Sequence, residues 1–312
     1  MSNLCNRIDN IPLYLHAYAY HLNMRVERIL PHDLLNIARE SGLVGLKIHV
    51  LDGETQSLGQ MDDAALTAFK MAAIGLDIHI ETSASDANSI DHAVHIAQMT
   101  GATSVRFYPR YEGLLNEVLA KVAADLQYIK ARYQDSALTF SIEQHEDLTS
   151  QEMHDLVVNS GMQNLSILFD FANMINANEA PLDALRNMAP VITQVHIKDA
   201  LIIAEGKGFG HQACRSGEGD IPMKALLKEL LLLGKDQPQV TSYGLEEEVD
   251  YYAPAFRFDD EGDNPFIPWR QISETALPTE HLEQRLAQEI KDAQAQLAYV
   301  RQLLAEIKLQ SV

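Results

Sequence analysis

The sequence contains few cysteines and no long apolar run. Its 312 residues include only Cys5 and Cys214, which are too few and too far apart for a disulfide framework or a thiolate zinc site. No uninterrupted apolar stretch approaches the ~18 residues that a membrane-spanning helix needs. The first residues, MSNLCNRIDNIPLYLHAYAYHLN, lack the basic segment and apolar core of a secretion signal. We therefore expect a cytoplasmic protein in a reducing compartment, with no membrane partner.

Positive charge is also scarce. The chain has 24 Lys and Arg residues against 44 Asp and Glu residues, and its formal net charge is -20. No cluster of basic residues interrupts this excess, so repulsion from phosphate backbones argues against a nucleic-acid partner. The glycine-rich run GKGFG at 206–210 lacks the Gly-Lys-Ser/Thr ending of a phosphate-binding loop, and we interpret it as a flexible lid. No Ser or Cys nucleophile motif and no cofactor fingerprint competes with the polar residues described below.

Short β-branched or aromatic runs alternate with longer amphipathic stretches, which is the pattern of a parallel β-sheet with helical crossovers. Several of the amphipathic stretches end in glycine, a residue that helix C-termini favour. The apolar runs lie about 30 residues apart, roughly one βα unit each, except that the last comes later. They predict eight strands, near Leu13–Tyr18, Leu43–Val50, Leu76–Glu81, Ser104–Tyr108, Leu138–Glu143, Leu165–Phe171, Ile192–Ile197 and Val240–Glu246.

Eight strands of this kind predict an α/β fold, a single (β/α)8 TIM barrel that forms one catalytic domain over residues 1–312. The core is expected at about residues 11–250. Long loops are expected after the seventh and eighth strands, with a loop insertion at 251–278 whose NPFIPWR run could cap the site or contact a second subunit. A C-terminal helix, at 279–310, could complete the barrel or extend into a partner, so a homo-oligomer remains open.

Polar residues stand at every predicted strand end. In a parallel barrel these ends converge on one rim, where active sites form. Each such residue would cost several kcal/mol if it were buried without a partner, so their number exceeds what a packed core requires. In chain order they are His16, His49, Glu81, Arg106, Tyr108, Glu143, His145, Asp170, Asn173, His196, Lys198 and Glu246.

Four of these residues, from four consecutive strands, form a set of three carboxylates and one imidazole: Glu143, Asp170, His196 and Glu246. Such a mixed set of oxygen and nitrogen ligands suits one divalent Mn, Mg, Co or Zn ion, with positions left for water or substrate. From spacing alone, ordinary salt bridges at strand ends explain the same residues equally well.

Four short runs carry a resemblance to a known family. SIEQHED, ILFDFAN, QVHIKDA and SGEGDIP resemble the motifs of the xylose isomerase-like TIM barrel superfamily, the sugar phosphate isomerase/epimerase family, over roughly Leu13 to Glu248. In that family a Glu, an Asp, a His and a Glu end the fifth to eighth strands and together hold one divalent metal ion. The resemblance assigns these ligand positions to Glu143, Asp170, His196 and Glu246.

The resemblance implies a metal-dependent sugar isomerase or epimerase. Such an enzyme removes a proton from the carbon next to a metal-bound carbonyl, which forms an enediolate. In the family's ketose epimerases the two metal-bound glutamates face the substrate carbon from opposite sides, which gives Glu143 and Glu246 this role. His145, two residues after Glu143, is an alternative base. Strand alternation leaves Glu248 on the same face as Glu246, and we choose Glu246 as the ligand because it lies at the strand end proper.

Substrate contacts are expected around the metal, and the expected substrate is a sugar or a sugar-derived small molecule. Arg215 lies just before GEGDIP, where the epimerases place a substrate-binding arginine, although a surface charge would explain it nearly as well. Lys198 could neutralise a substrate oxyanion or pair with a neighbouring carboxylate. The expected substrate contacts are His16, His49, Glu81, Arg106, Tyr108, Asn173, Lys198 and Arg215.

Three other functions compete with this interpretation. A dehydratase or lyase acting on an oxidised sugar or glycoside would begin with the same proton abstraction, and the added length after strands seven and eight favours a bulkier ligand. A nuclease of the apurinic type needs a histidine three residues after the sixth-strand aspartate, where this chain has Asn173. The family's ketose epimerases commonly have a histidine there too. A non-catalytic binding subunit is disfavoured because all four ligands are present.

Overall fold

The computed structural model describes residues 3–270 and 275–311. The helices are α1 (Asn3–Asp9), α2 (His21–Arg25), α3 (Pro31–Glu40), α4 (Asp63–Ala72), α5 (Ala87–Thr100), α6 (Leu115–Tyr133), α7 (Ser150–Ser160), α8 (Pro181–Met188), α9 (Met223–Leu232) and α10 (Leu282–Leu309). The strands are β1 (Leu13–His16), β2 (Gly45–His49), β3 (Asp77–Glu81), β4 (Ser104–Phe107), β5 (Gly113–Leu114), β6 (Thr139–Glu143), β7 (Leu165–Asp170), β8 (Ile192–Ile197), β9 (Asp199–Glu205), β10 (Gly208–Cys214), β11 (Ser242–Leu245), β12 (Tyr252–Ala253) and β13 (Phe266–Ile267). Over the described ranges, no helix combines the length and the apolar character that crossing a membrane requires.

Eight of the strands form a closed parallel barrel in the order β1-β11-β8-β7-β6-β4-β3-β2. They correspond to the eight strands predicted from the sequence, and the predicted TIM barrel is confirmed. Most of their residues are buried, whether they face the barrel interior or the surrounding helices. Burial does not make the strands purely apolar, because polar residues such as Lys47, His79 and Gln194 alternate with apolar ones on β2, β3 and β8.

The helices begin and end at local sequence signals. α7 begins after Thr149, whose hydroxyl accepts the backbone amide of Glu152 while the Glu152 carboxylate accepts the backbone amide of Thr149, which is a capping box. α5 and α7 end at Gly101 and Gly161, both in the left-handed conformation that costs glycine little. Sharp helix ends of this kind let each helix turn back and pack across the outside of the barrel.

The segment after the seventh barrel strand, β8, departs from the prediction. In place of a flexible lid at 206–210, β9 and β10 form an antiparallel hairpin whose turn contains Gly206 at φ 63°. β12 adds a third strand, in which Ala253 pairs with His211. The lid interpretation was wrong because residues 208–210 pair with residues 203–205 of β9, which the glycine-rich composition of the run conceals.

The predicted insertion after β11 also contains regular structure. β13 pairs with β5 in an antiparallel arrangement, with Phe266 opposite Leu114. This pairing brings the insertion across to the loop that follows β4. Residues 271–274 of the predicted insertion lie outside the described residues.

The C-terminal helix, α10, completes the barrel, which is the first of its two predicted roles. Glu289 accepts hydrogen bonds from the backbone amide of Leu22 at 2.8 Å and from the side chain of Asn23 at 2.6 Å. Gln296 donates to the carbonyl of Ile197, at the end of β8, at 2.9 Å. The helix thus packs between the segment after β1 and the end of β8.

Asp199 joins the HIKD run to the GEGDIP run. Its carboxylate accepts the backbone amides of Ala200, Gly217 and Gly219 at 2.9, 2.8 and 3.0 Å. Position 219 has no room for a side chain, because a Cβ atom there would lie 2.2 Å from Asp199 Oδ1. The two runs most typical of the family therefore form one hydrogen-bonded unit at the end of β8.

Asp199→Asn should destabilise the fold. The amide accepts hydrogen bonds on one side only, so at least one backbone amide that Asp199 now satisfies loses its partner, which costs about 1–3 kcal/mol. The free energy of unfolding, measured by urea denaturation with circular dichroism, should fall by about that amount. The control is Glu218→Gln, an exposed position in the same loop, which should leave the free energy of unfolding unchanged. Equal losses in both variants, or a loss in neither, would contradict this role of Asp199.

Candidate metal and substrate site

The C-terminal ends of the barrel strands bring most of the predicted residues to one rim. The register places His49 of β2 beside Glu81 of β3, and Glu81 beside Arg106 of β4. Across the barrel it places Asp170 of β7 beside His196 of β8. Glu81, Asp170 and His196 each have a relative exposure of 0%. The rim is therefore a buried polar cluster and not a solvated edge.

The four candidate metal ligands converge at this rim. One ligand atom from each of Glu143, Asp170 and His196 lies within 4.8 Å of the other two. His196 Nδ1 lies 3.6 Å from Glu143 Oε1 and 3.4 Å from Glu246 Oε2. Spacings of this size suit ligands that share one ion, since each ligand atom then lies roughly 2.0–2.4 Å from it.

The donor set fits a divalent cation. Asp170 Oδ2, His196 Nδ1 and Glu246 Oε2 are buried and make no hydrogen bond, which is an unusual state for buried polar atoms. Burial opposes a charge on His196, but the surrounding carboxylates, above all Glu246 and Glu81, raise its pKa well above the ordinary value. Burial raises the pKa of Asp170 to about 6, although the neighbouring Lys198 opposes this shift. The cluster therefore carries more negative charge than its own cations balance.

Asn173 lies behind the candidate ligands and is absent from the cavity lining. Its side-chain amide donates to Glu143 Oε1 at 3.1 Å, and its backbone amide donates to Asp170 Oδ1 at 2.8 Å. These two hydrogen bonds orient two carboxylates at once. The structure gives Asn173 a positioning role in place of the substrate contact expected from the sequence.

The three consecutive glutamates after β11 point in different directions. Glu246 faces the rim, where its Oε2 lies 3.4 Å from His196 Nδ1. Glu247 faces away and accepts the backbone amide and the hydroxyl of Ser216 at 2.9 and 2.7 Å. Glu248 faces the cavity. Among the three, Glu246 has the position that a ligand next to His196 requires.

Lys198 is a buried cation inside the cluster. Its ammonium group donates to Glu248 Oε2 at 3.0 Å, and it lies 3.3 Å from Asp170 Oδ2 and 3.6 Å from Glu246 Oε2. Burial disfavours its charge, yet Asp170 and Glu248 raise the pKa of Lys198 well above its ordinary value. Burial also raises the pKa of Glu248, to about 8. Lys198 thus pairs with carboxylates and, because it also lines the cavity, remains available to a substrate oxygen.

Arg106 neutralises the other side of the rim. Its guanidinium lies 2.7 Å from Glu81 Oε2 and 2.9 Å from Glu143 Oε2. Glu81 also lies 3.0 Å from His16 Nε2 and 3.1 Å from His196 Nε2. His16, Glu81 and His196 are close enough to hold a cation themselves. Arg106 compensates Glu81 and Glu143 alike. The set of three carboxylates and His196 is the better candidate because Asp170 Oδ2, His196 Nδ1 and Glu246 Oε2 are buried without a hydrogen bond.

A cavity opens at this rim, and His49 illustrates how its walls are built. The backbone amide of Leu51 donates to His49 Nδ1 at 3.1 Å. Burial lowers the pKa of His49 to about 3, so the ring is neutral and its other nitrogen carries the proton.

Most of the expected site residues line this cavity. The expected substrate contacts among them are His16, His49, Glu81, Arg106, Tyr108 and Lys198, and the candidate catalytic residues among them are His145 and Glu246.

Arg215 lies away from the cavity lining. Its Nε donates to Asp292 of α10 at 2.7 Å, and about 42% of its side chain is exposed. In this structure Arg215 links the loop after β10 to the C-terminal helix. This position is closer to the alternative interpretation of Arg215 as a surface charge than to a substrate contact.

The fold agrees with a comparison against known proteins. The model of the xylose isomerase-like TIM barrel family matches residues 35–250. The chain belongs to this family. It is 65% identical over 308 residues to the uncharacterized protein YihM of Escherichia coli (strain K12), and the match covers 98% of this chain and 94% of that protein.

Solved structures share the fold at low sequence identity. D-psicose 3-epimerase, solved in the presence of D-fructose, is 13% identical with a TM-score of 0.61, and the match covers 94% of this chain and 99% of that chain. The IOLI protein, solved with a zinc atom, is 12% identical with a TM-score of 0.60, and the match covers 95% of this chain and 99% of that chain. At these identities the two structures establish the fold and leave the reaction of this chain to be argued from its own residues.

Several cavity residues lie outside the family's motifs, and the sequence reasoning missed them. Arg270, in the insertion after β11, donates to His145 Nδ1 at 2.9 Å and to the carbonyl of Pro109 at 2.8 Å. Arg110, in the loop after β4, stacks on Trp269 with 5.7 Å between the guanidinium carbon and the ring centroid. The NPFIPWR run indicated a cap near the site, but no local pattern marks which side chains it meets.

A second polar layer lies inside the barrel next to the rim. Lys47 of β2, which is fully buried, donates to Gln194 Oε1 at 2.6 Å and lies 3.2 Å from His79 Nδ1. Burial lowers the pKa of Lys47 to about 8. A Cβ atom at Gly244 would lie 2.7 Å from Lys47 Cδ and 3.2 Å from His196 Cδ2. Glycine at this position therefore lets the lysine pass close to the candidate ligand His196.

The three glutamates after β11 give a direct test of the ligand set. Purified protein should contain one divalent ion per chain, measured by inductively coupled plasma mass spectrometry. Glu246→Gln should lower metal affinity at least about tenfold, since removal of a supporting residue alone costs 10–100-fold.

Glu247→Gln is the matched control, because Glu247 faces Ser216 and away from the rim, and this variant should keep full occupancy. If Glu246→Gln retains the ion while Glu248→Gln loses it, the ligand lies two residues farther along the chain than we assign it.

Proposed function

We propose that this protein is a divalent-metal-dependent sugar isomerase or epimerase. The observation that carries the proposal is that ligand atoms of Glu143, Asp170 and His196 lie within 4.8 Å of one another at one buried rim, and that Glu246 lies 3.4 Å from His196. Each of these four side chains has one buried polar atom without a hydrogen bond. Membership of the xylose isomerase-like TIM barrel family supports it. The proposed ligands are Glu143, Asp170, His196 and Glu246, and the proposed substrate is a small hydroxy-carbonyl sugar or sugar derivative.

The ligand set defines what a bound ion would supply. A divalent ion would act there as a Lewis acid, which makes the carbon next to the substrate carbonyl more acidic. Every other part of the reaction falls to side chains of this protein, which bind the substrate, orient it and move the proton.

Glu246 is the side chain best placed to take the proton. It lines the cavity. Burial opposes its charge, but His196 and His16 hold the pKa of Glu246 well below the ordinary value, so it is a carboxylate at neutral pH. Glu143 also lies next to His196 and is the second candidate for proton exchange, although it does not line the cavity.

We assign His145 the role of a hydrogen-bond donor in preference to that of a base. A guanidinium has no acceptor atom, so Nδ1 of His145 accepts the hydrogen bond from Arg270. Burial and Arg270 lower the pKa of His145 well below the ordinary value. The neutral ring then carries its proton on Nε2, and it can donate to a substrate oxygen but cannot take a proton while Arg270 occupies Nδ1.

The N–H group of His145 also suits an elimination reaction, which is the second candidate function. A dehydratase or lyase removes the same proton and then needs a group that supports the departing oxygen. His145 and Lys198 both line the cavity and both offer N–H groups. The two reactions differ only in the fate of the electron pair, which returns to a carbon in isomerisation or epimerisation and expels the leaving group in elimination.

Turnover in deuterium oxide should place deuterium on the substrate carbon. The proton taken by a cavity carboxylate exchanges with solvent before it returns. Nuclear magnetic resonance and mass spectrometry would measure this for a panel of ketoses, 3-oxo sugars and glycosides. A rearranged or inverted sugar identifies an isomerase or epimerase, whereas loss of water or of an aglycone identifies a lyase.

Glu246→Gln should lower the rate of this exchange at least about 100-fold, which is the usual contribution of a general base. Glu247→Gln is the control and should retain the rate. Conversion of a substrate without carbon-bound deuterium, and without a primary isotope effect from label at that carbon, would contradict the proposal and point to metal-assisted hydrolysis.

Removal of divalent ions should lower the melting temperature. An ion that binds only the folded state stabilises it by about 2.7 kcal/mol at 100 times its Kd, and chelation removes this contribution. Differential scanning fluorimetry should show a lower Tm in EDTA, with recovery when Mn2+ is added to the wild type but not to Asp170→Asn. A Tm that does not respond to EDTA or Mn2+ in the wild type would count against the metal site.

A further inference from the structure

Arg110 differs from two other arginines that line the cavity, Arg106 and Arg270. Arg106 is paired with two carboxylates at the rim, and Arg270 lies 3.7 Å from Asp147 Oδ1. Among residues 3–270 and 275–311, no carboxylate lies within ion-pair distance of Arg110. Its Nε donates to the carbonyl of Arg270 at 3.1 Å, and its two terminal nitrogens have no hydrogen-bond partner in the same ranges.

Aromatic rings hold the Arg110 guanidinium in place. Its central carbon lies 5.7 Å from the ring centroid of Trp269 and 6.0 Å from that of Tyr108. The side chain is half-buried, and the Nε hydrogen bond fixes the plane of the group. A fixed guanidinium with two free terminal nitrogens has the geometry that pairs with a carboxylate or a phosphate through two parallel hydrogen bonds.

Two other guanidinium groups lie close to Arg110, which makes an unpaired guanidinium there costly. The central carbons of Arg106, Arg110 and Arg270 lie 5.3, 6.0 and 4.7 Å from the ring centroid of Tyr108. We call these three residues the positive wall. Burial, together with Arg270, lowers the pKa of Arg110. In a chain with 44 acidic residues, such a group would ordinarily have a carboxylate partner.

The positive wall and the metal rim belong to the same cavity. The ring of Tyr108 lies 4.1 Å from that of His145 between centroids, and Arg106 connects Tyr108 to Glu143. Arg110 and Glu246 both line the cavity. A small molecule that meets Glu246 with its reacting end can therefore meet Arg110 with another part.

We propose that the substrate carries an oxyanion, either a carboxylate or a phosphate, and that Arg110 binds this group. The inference rests on the proposed function for the position of the reacting carbonyl, and it adds the chemical class, a sugar acid or a sugar phosphate. The hydroxyl groups of a neutral sugar can accept hydrogen bonds from the guanidinium, but these are weaker than the charge-assisted hydrogen bonds that a carboxylate or phosphate accepts.

Equilibrium binding tests this inference without any need for turnover. Isothermal titration calorimetry on the full chain, with Mn2+ present, compares D-fructose as a neutral sugar with D-fructose 6-phosphate and D-glucuronate. Inorganic phosphate is the smallest probe and is also titrated in EDTA.

Arg110→Met removes the charge and keeps a flexible apolar stem against the two rings. Arg132→Met is the matched control, because Arg132 also stacks on two aromatic rings, Tyr128 and Tyr133, but lies on α6 and not in the cavity lining.

At least one anionic sugar should bind the wild type ten times more tightly than D-fructose or better. Arg110→Met should weaken that binding at least tenfold and leave D-fructose binding unchanged, while Arg132→Met keeps the preference. Tighter binding of D-fructose 6-phosphate indicates that the substrate anion is a phosphate, and tighter binding of D-glucuronate indicates a carboxylate. Equal binding of neutral and anionic sugars, binding of no anionic probe, or a preference that survives Arg110→Met would overturn the inference.

The proposed function fails in a different way. It fails if the purified chain holds no ion and turnover places no deuterium on carbon. The binding of inorganic phosphate in EDTA is measured independently of both results and tests Arg110 alone. A neutral-sugar preference together with metal-dependent exchange would overturn the role of Arg110 and leave the proposed reaction standing.

Discussion

The structure depends on a concentration of buried negative charge at the C-terminal end of the barrel. Two permanent cations, Arg106 and Lys198, lie among the carboxylates and bridge them in pairs. Removal of one partner from a buried ion pair costs about 3–5 kcal/mol, so each of these groups fixes its neighbours. One further divalent charge would bring the cluster close to balance. The buried carboxylates are Glu81, Glu143, Asp170, Glu246 and Glu248.

The barrel makes this arrangement possible because its strand ends are rigid and adjacent. Ligand atoms from neighbouring strands approach one another before any ion is bound, and groups behind them set their directions. Asn173 orients Glu143 and Asp170, and Gly244 leaves room for Lys47 close to His196. A metal site whose ligands are oriented by such supporting contacts binds its ion with little rearrangement.

The parts that could be predicted from the sequence are those that depend on local patterns. Each barrel strand carries buried apolar residues, and the polar residue at or near its C-terminal end, such as Asp170 or His196, falls on the rim by topology alone. Asn173 could not be placed in this way, because it begins a turn of 3-10 helix and strand alternation no longer describes its direction. Arg270 could not be found at all, since its contact with His145 joins segments 125 residues apart. The β9–β10 hairpin was missed because its turn and the start of β10 fall in the glycine-rich run 206–210, whose composition is typical of a loop.

In this chain the candidate metal ligands and the residues proposed to select the substrate lie in different kinds of segment. The candidate ligands lie on strand ends that carry family motifs, whereas Arg110 and Arg270 come from two connections that carry none. The pairing of β13 with β5 holds these connections together, three residues before Arg270 and three after Arg110. An interaction with a remote group of the substrate can contribute to catalysis by fixing the reacting carbon against its base. The short β5–β13 ladder would then set where the carbon lies relative to Glu246, although it touches neither the carbon nor the base.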